Sequence, residues 1–303
     1  MRSGAAVVYA PEYRCDIGAH VFPMRKFAMI LERLIGAGEL AAADIVAPGP
    51  ATRDELRLVH TEEYLDDLER LRWTPRTMMS ELPLTGEIVR AYAYAAGGTL
   101  RAARAALEAG MGVNVGGGFH HAFADHAEGF CYINDLAVAV RVLQRDRSVR
   151  RAAIADLDVH QGNGTARIFR DDPDVFTLSV HQEANSPVKE RGDLDVGLEN
   201  GIEDADYLAR VAGALERVWA FGPDLLLYQA GADPYLEDML GGLSVSKAGL
   251  EARDRLVLEG CARRGIPAVV TLGGGYARRV EDTVAIHATT CAIAMRLARP
   301  ASR

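Results

Sequence analysis

The sequence predicts an α/β fold: an open, mostly parallel sheet with helices on both faces. Three observations carry that reading. Short apolar runs alternate with longer helical patterns along the whole chain. Most of these runs lack in/out alternation, as expected of parallel strands buried on both faces. Several of them end in glycines and polar residues, and ligands gather outside the carboxyl ends of such strands.

In chain order the strand candidates are AAVVY (5–9), GVNV (112–115), AAIADLD (152–158), VFTLSV (175–180), DLLLYQA (224–230) and PAVVTL (267–272). The clearest helical patterns lie between them, at 86–110, 134–146, 204–222 and 246–265. Ser244 and Ser246 are candidate caps for the last of these. There is no internal repeat, low-complexity tract or Gly/Ser linker, so one domain over 1–303 is expected.

Composition narrows the function classes. The 303 residues are 49% hydrophobic and 25% charged, within the ordinary globular range. A net charge of −8 and a pI near 5.5 argue against a grip on nucleic acid phosphates or anionic membranes. A basic segment of a partner protein would still be attracted. No run approaches the ~18 apolar residues of a membrane span, and the amino-terminal apolar stretch is too short for a signal peptide. Cys15, Cys131, Cys261 and Cys291 match no zinc-finger spacing and read as reduced thiols. A cytoplasmic enzyme or binding protein is expected.

Four strand candidates deliver polar residues to one rim. GVNV leads to GGGFHHAF, AAIADLD to VHQGNG, DLLLYQA to GADPY, and VVTL to GGGYA. In the second, Asp156, Asp158 and His160 recur at every other position, so an extended chain would point all three into one pocket. Two carboxylates and an imidazole so close call for a cation, and they belong to a normal divalent ligand set. Asp233, after another strand and a glycine, is the natural third ligand beside Asp158 and His160, although Asp-Pro after a strand also commonly marks a turn. Such a set leaves a position open for water, the pattern of a catalytic zinc.

The tandem His120-His121 suits general acid/base work, with Asp156 and Asn163 available to set the ring tautomers. His20, His126 and His287 belong to no cluster, and His60 opens the helix-like HTEEYLDDL. The GGGYA turn lacks the lysine of a phosphate loop. It presents Tyr276, whose hydroxyl can donate to a developing oxyanion.

In this order GGGFHHAF, GFCYIND, DLDVHQGNGT, SVH, GAD, GGLSVS and GGGY resemble the histone deacetylase/acetylpolyamine amidohydrolase family. The match runs from VYAPEY near residue 8 to GGGYARR near residue 279, and HQGNG and GGLSVSKAG are most similar to class IV deacetylases and their bacterial relatives. The resemblance implies an arginase/deacetylase-like α/β fold and a single zinc-dependent deacetylase domain. It implies one catalytic Zn2+ on Asp158, His160 and Asp233. His121 becomes the general base and acid, His120 its electrostatic neighbour, Asp156 the partner of His120 and Asn163 the partner of His121. Many relatives have an aspartate where Asn163 stands. Tyr276 would polarise the scissile carbonyl, and Gly129 and Phe130 would line the acyl-lysine tunnel.

A structural K+ is implied at the backbone carbonyls of Asp156, Asp158 and His160 with Ser179 and Val180. Arg25 matches an arginine that lines the internal cavity near the acetate exit. Binuclear manganese relatives of the same fold carry a further aspartate where this chain has Gly162, so one metal is expected. Leu240 occupies a position where polyamine-selective members can carry an acidic gatekeeper, which favours a neutral lysine stem, with Glu237 and Asp238 close by. The expected reaction is removal of acetyl or longer acyl groups from the ε-nitrogen of lysine in proteins or peptides. Deacetylation of acetylated polyamines or another small amide is the alternative within the same chemistry. A module that recognises acyl-lysine without turnover is the alternative of a different class.

Overall fold

The computed structural model describes residues 5–298. Its centre is one eight-stranded sheet in which every pairing is parallel. The strands are β1 (Ala6–Val8), β2 (Ile45–Val46), β3 (Met111–Asn114), β4 (Ala152–Asp156), β5 (Val175–Gln182), β6 (Leu194–Leu198), β7 (Leu225–Gln229) and β8 (Ala268–Thr271). Their spatial order is β2-β1-β3-β8-β7-β4-β5-β6.

Every residue of β3, β4, β5, β7 and β8 is buried. Successive strand residues face opposite sides, so both faces of the central sheet are covered. All six strand candidates are present, most of them a residue or two shorter than the apolar run. Two further strands lie at the sheet edges. β2 has only two residues, and β6 alternates partly buried and exposed residues.

The four anticipated helices span Gly86–Ala109, Asp135–Arg145, Asp204–Phe221 and Lys247–Arg264. Ser246 caps the last, its side chain accepting from the Gly249 amide. Ser244 does not cap it; its own amide bonds the Ile202 carbonyl instead. The long helix Gly86–Ala109 packs on β1, β3 and β8, while Val280–Leu297 packs on β3 and on helix Lys26–Gly36.

The strand order places the site. The polar clusters follow β3, β8, β7 and β4, which are consecutive neighbours in the sheet. The register aligns Asp156 with Gln229, and Gln229 with Thr271, so these loops leave the sheet at one level. All strands being parallel, the four loops emerge on the same edge.

Candidate active site

Strand β4 ends at Asp156, so Asp158 and His160 are not strand residues. Their convergence has another cause. The Asp158 amide donates to Asp156 Oδ1 (3.2 Å), and the His160 amide donates to Asp158 Oδ1 (3.0 Å). Two successive side-chain-to-backbone turns therefore coil the loop inward, a habit of aspartate near turns.

Asp158, His160 and Asp233 each offer a ligand atom within 4.8 Å of the others. The carboxylates are held from behind by backbone amides: Gly274 donates to Asp158 Oδ2 (2.8 Å) and Val159 to Asp233 Oδ1 (2.9 Å). Asp233 Oδ2 is buried with no hydrogen-bond partner among the described residues, 3.3 Å from His160 Nδ1. A buried, unsatisfied carboxylate oxygen is costly unless something binds it. Burial and the charge of Asp158 both push Asp233 up. Two buried carboxylates with one imidazole suit zinc in donor type and number, so the residues present fit the ion.

The paired histidines come from the β3 loop. Asp135, fully buried, accepts from the amides of Gly118 and Phe119 and so fixes the loop just before them. His60 ties the same loop to the start of the next helix: its Nδ1 lies 3.0 Å from the Phe123 carbonyl and its Nε2 accepts from the Asn134 amide. His120 Nδ1 lies 2.6 Å from Asp156 Oδ2. His121 Nδ1 lies 2.9 Å from Asn163 Oδ1.

The two rings are electrostatically unlike. Burial lowers the His120 pKa, but Asp156 and Asp158 outweigh it and hold the group up at about 9. Burial drives His121 well below the usual histidine value, and the charges of His120 and His160 add to this. The two rings are thus shifted in opposite directions, the separation an acid/base site requires. Gly162 sits tightly against this pair; a Cβ there would lie 2.2 Å from Asp156 Oδ2 and 3.1 Å from His120 Nδ1. Any side chain there, an extra metal-binding aspartate included, would have to displace the Asp156 carboxylate.

Tyr276 follows β8. Its amide donates to Asp238 Oδ2 (2.6 Å), while Asp238 Oδ1 accepts from Leu240 and Gly241. Asp238 is therefore turned inward as a clamp between two loops, and Glu237 is exposed. The Tyr276 hydroxyl makes no hydrogen bond within the described protein. Burial, then the charges of Asp158 and Asp233, raises it well above the usual phenol range, so it stays a donor.

A cavity of about 370 Å³ opens onto His121, His160 and Tyr276, with Gly129, Phe130 and Leu240 also in its wall. The Phe130 and Tyr276 ring centroids are 6.0 Å apart. Gly129 lies flat against the base: a Cβ there would be 2.7 Å from His121 Cδ2. Glu81 and Glu128 line the same cavity. His20, which belonged to no sequence cluster, packs edge-on against Phe130 at 4.7 Å.

Ser179 stands opposite Asp156 in the register, with Val180 beside it in β5. Arg25 lines a separate open hollow of about 780 Å³ that also reaches Tyr276, but its side chain is exposed. The cation that reaches the interior is its neighbour Lys26. It is fully buried, its Nζ donates to the Gly273 carbonyl at 2.6 Å, and it lies 5.9 Å from the Tyr276 ring centroid. The apolar flanks of Lys26 were the available sequence signal for its burial.

Comparison with known proteins agrees with this geometry. The histone deacetylase domain matches residues 20–291. An uncharacterised protein of Picosynechococcus is 42% identical over 94% of this chain and 96% of its own length. Histone deacetylase 2 of Arabidopsis thaliana is 30% identical, covering 93% of this chain and 78% of that protein. The crystal structure of a histone deacetylase homologue in complex with SAHA superimposes with a TM-score of 0.80 at 27% identity, over 96% of this chain and 84% of that one. Fold and matches together define a deacetylase, an amide-hydrolysing enzyme. Within that class the chain belongs to the histone deacetylase family.

No helix among the described residues is long and apolar enough to cross a membrane.

Proposed function

We propose that the chain is a zinc-dependent amidohydrolase that removes acetyl or longer acyl groups from the ε-nitrogen of lysine in proteins or peptides. The observation that carries the proposal is one 370 Å³ cavity walled by His121, Tyr276 with its unpaired hydroxyl, and His160, whose ring nitrogen clusters with the carboxylates of Asp158 and Asp233. Zinc held by Asp158, His160 and Asp233 would supply Lewis acidity toward the scissile carbonyl and toward water.

The chain's own residues do the rest. His121 donates its Nδ1 proton to Asn163, which leaves Nε2 free to take a proton from the attacking water. The same nitrogen then returns that proton to the departing amine. Charged His120, held by Asp156, stabilises negative charge as it builds. Tyr276 donates to the carbonyl oxygen as it becomes an oxyanion. Phe130 and Leu240 flank an apolar acyl-lysine stem and exclude water from it.

A structural K+ is proposed at the carboxyl end of β4, on Asp156, Asp158 and His160 with Ser179 and Val180. One catalytic domain in the cytoplasm completes the reading. The Glu81 and Glu128 carboxylates in the cavity wall favour a second substrate class, acetylated polyamines, because they would attract a distal ammonium group. A panel of acetyl-lysine peptides, longer acyl-lysine peptides and acetylpolyamines, each with and without a chelator, separates these readings. Chelator-sensitive turnover strongest on an acyl-lysine peptide supports the proposal. Preference for acetylpolyamines moves it to the second class, and acyl-lysine binding with no turnover of any substrate overturns it.

A further inference from the structure

The base His121 leans on a neutral amide, and that amide leans on a carboxylate from another segment. Asn163 is 1% exposed and all of its polar valences are spoken for. Its Oδ1 accepts from His121 Nδ1 (2.9 Å) and from the Gly164 amide (3.0 Å). Its Nδ2 donates to Glu128 Oε1 (2.8 Å) and to the Val188 carbonyl (3.3 Å). Glu128 and the Val188 carbonyl can only accept, and the Gly164 amide can only donate, so the amide cannot be flipped. Its oxygen must face His121, and His121 must carry its proton on Nδ1.

Glu128 is itself built in. Its backbone exchanges hydrogen bonds with Cys131 in both directions. Its second oxygen lies 3.7 Å from His126 Nε2, and His126 bonds Asp125 at 2.7 Å while stacking on Phe123 at 4.2 Å.

We propose that Glu128 is the positioning carboxylate of the general base, acting on His121 through Asn163. A charge-assisted bond to Nδ2 polarises the amide, which makes Oδ1 a stronger acceptor for the His121 proton; hydrogen bonds in such chains reinforce one another. The ring is thereby locked in one tautomer, and the positive charge it acquires in the reaction is stabilised from two bonds away. This inference rests on the amidohydrolase reading of the same site.

The test is a cycle of Glu128→Gln and Asn163→Asp on the metal-replete protein, assayed with an uncharged acetyl-lysine peptide. Glu128→Gln alone should lower kcat about 10-fold or more, the usual range for a partner one step removed, with KM and bound metal unchanged. Asn163→Asp places a carboxylate directly on His121 and opposes it to Glu128. In that background Glu128→Gln should raise kcat, reversing its sign. An equal loss in both backgrounds would make Glu128 merely structural, and a change confined to KM would make it a substrate contact; either overturns the proposal. If the parent protein has no turnover at all, the function reading fails, and the inference is then judged by nitrogen NMR of the His121 ring. A weakened Nδ1–H signature in Glu128→Gln supports it, and an unchanged one overturns it.

Discussion

Replacing Tyr276 by phenylalanine removes one oxygen atom from the cavity wall and leaves the ring. That ring sits among Phe22 and Phe130, with centroids 6.1 and 6.0 Å away, and these contacts survive the change. The hydroxyl makes no hydrogen bond within the described protein, so its loss strands no buried partner. The loop is positioned by the Tyr276 amide on Asp238, which the substitution does not touch. Stability should therefore change by less than about 0.5 kcal/mol, the scatter expected away from packing or hydrogen-bond defects. Activity should change far more. A preorganised oxyanion donor is worth about 10²–10³ in kcat, roughly 2.7–4 kcal/mol of transition-state stabilisation. The donor gains strength as charge develops, so the loss belongs to kcat rather than KM. Steady-state kinetics on an acetyl-lysine peptide, with metal content and a thermal melt measured on the same preparation, decide the matter. Full kcat with a lowered melting temperature would refute the reasoning and make Tyr276 a packing residue.

His121→Ala should keep its metal and lose about 10²–10⁴ in turnover, the usual worth of a general acid/base; near-normal rates in a metal-replete preparation would move the base elsewhere. Gly162→Ala should destabilise the fold by about 1–3 kcal/mol, because a Cβ 2.2 Å from Asp156 Oδ2 must break up the His120–Asp156 pair; an unchanged melt and activity would contradict this. His60 gives a pH dependence that does not involve the metal ligands. Burial lowers it from 6.5 to about 4, so between these values the unfolded chain binds the extra proton. Its contribution is complete above pH 6.5 and is lost as pH falls toward 4, on the order of 3 kcal/mol in all. His60→Gln, which offers a donor and an acceptor but does not titrate, should flatten denaturant-measured stability over that window; identical slopes would contradict it.

Legibility in the sequence followed burial. Six strands could be read because parallel strands covered on both faces are apolar at nearly every position, as AAIAD and LLLYQ are. The edge strands escaped because Ile45–Val46 is too short to show a period and Leu194–Leu198 is half solvated. Asp158, His160, Asp233, the paired histidines and Tyr276 were legible because each follows an apolar strand, and the sheet order then makes those strands neighbours. What escaped depends on contacts between distant segments. Lys26 meets Gly273 across 247 positions, and His60 meets Asn134 across 74. Glu128 and Asp238 sit in ordinary-looking loops, and only their hydrogen bonds to Asn163 and to the Tyr276 amide reveal a purpose.

The central claim is that a single metal on Asp158, His160 and Asp233 drives amide hydrolysis in this cavity. It is tested most directly by stripping the protein of metal and titrating Zn2+ back while following both bound zinc and acetyl-lysine peptide hydrolysis, with Asp158→Ala in parallel. The expected result is negligible turnover without metal, a rise to a plateau at one zinc per chain, and neither tight binding nor turnover in Asp158→Ala. Full activity in the metal-free protein, or a plateau only at two zinc ions per chain, would contradict it.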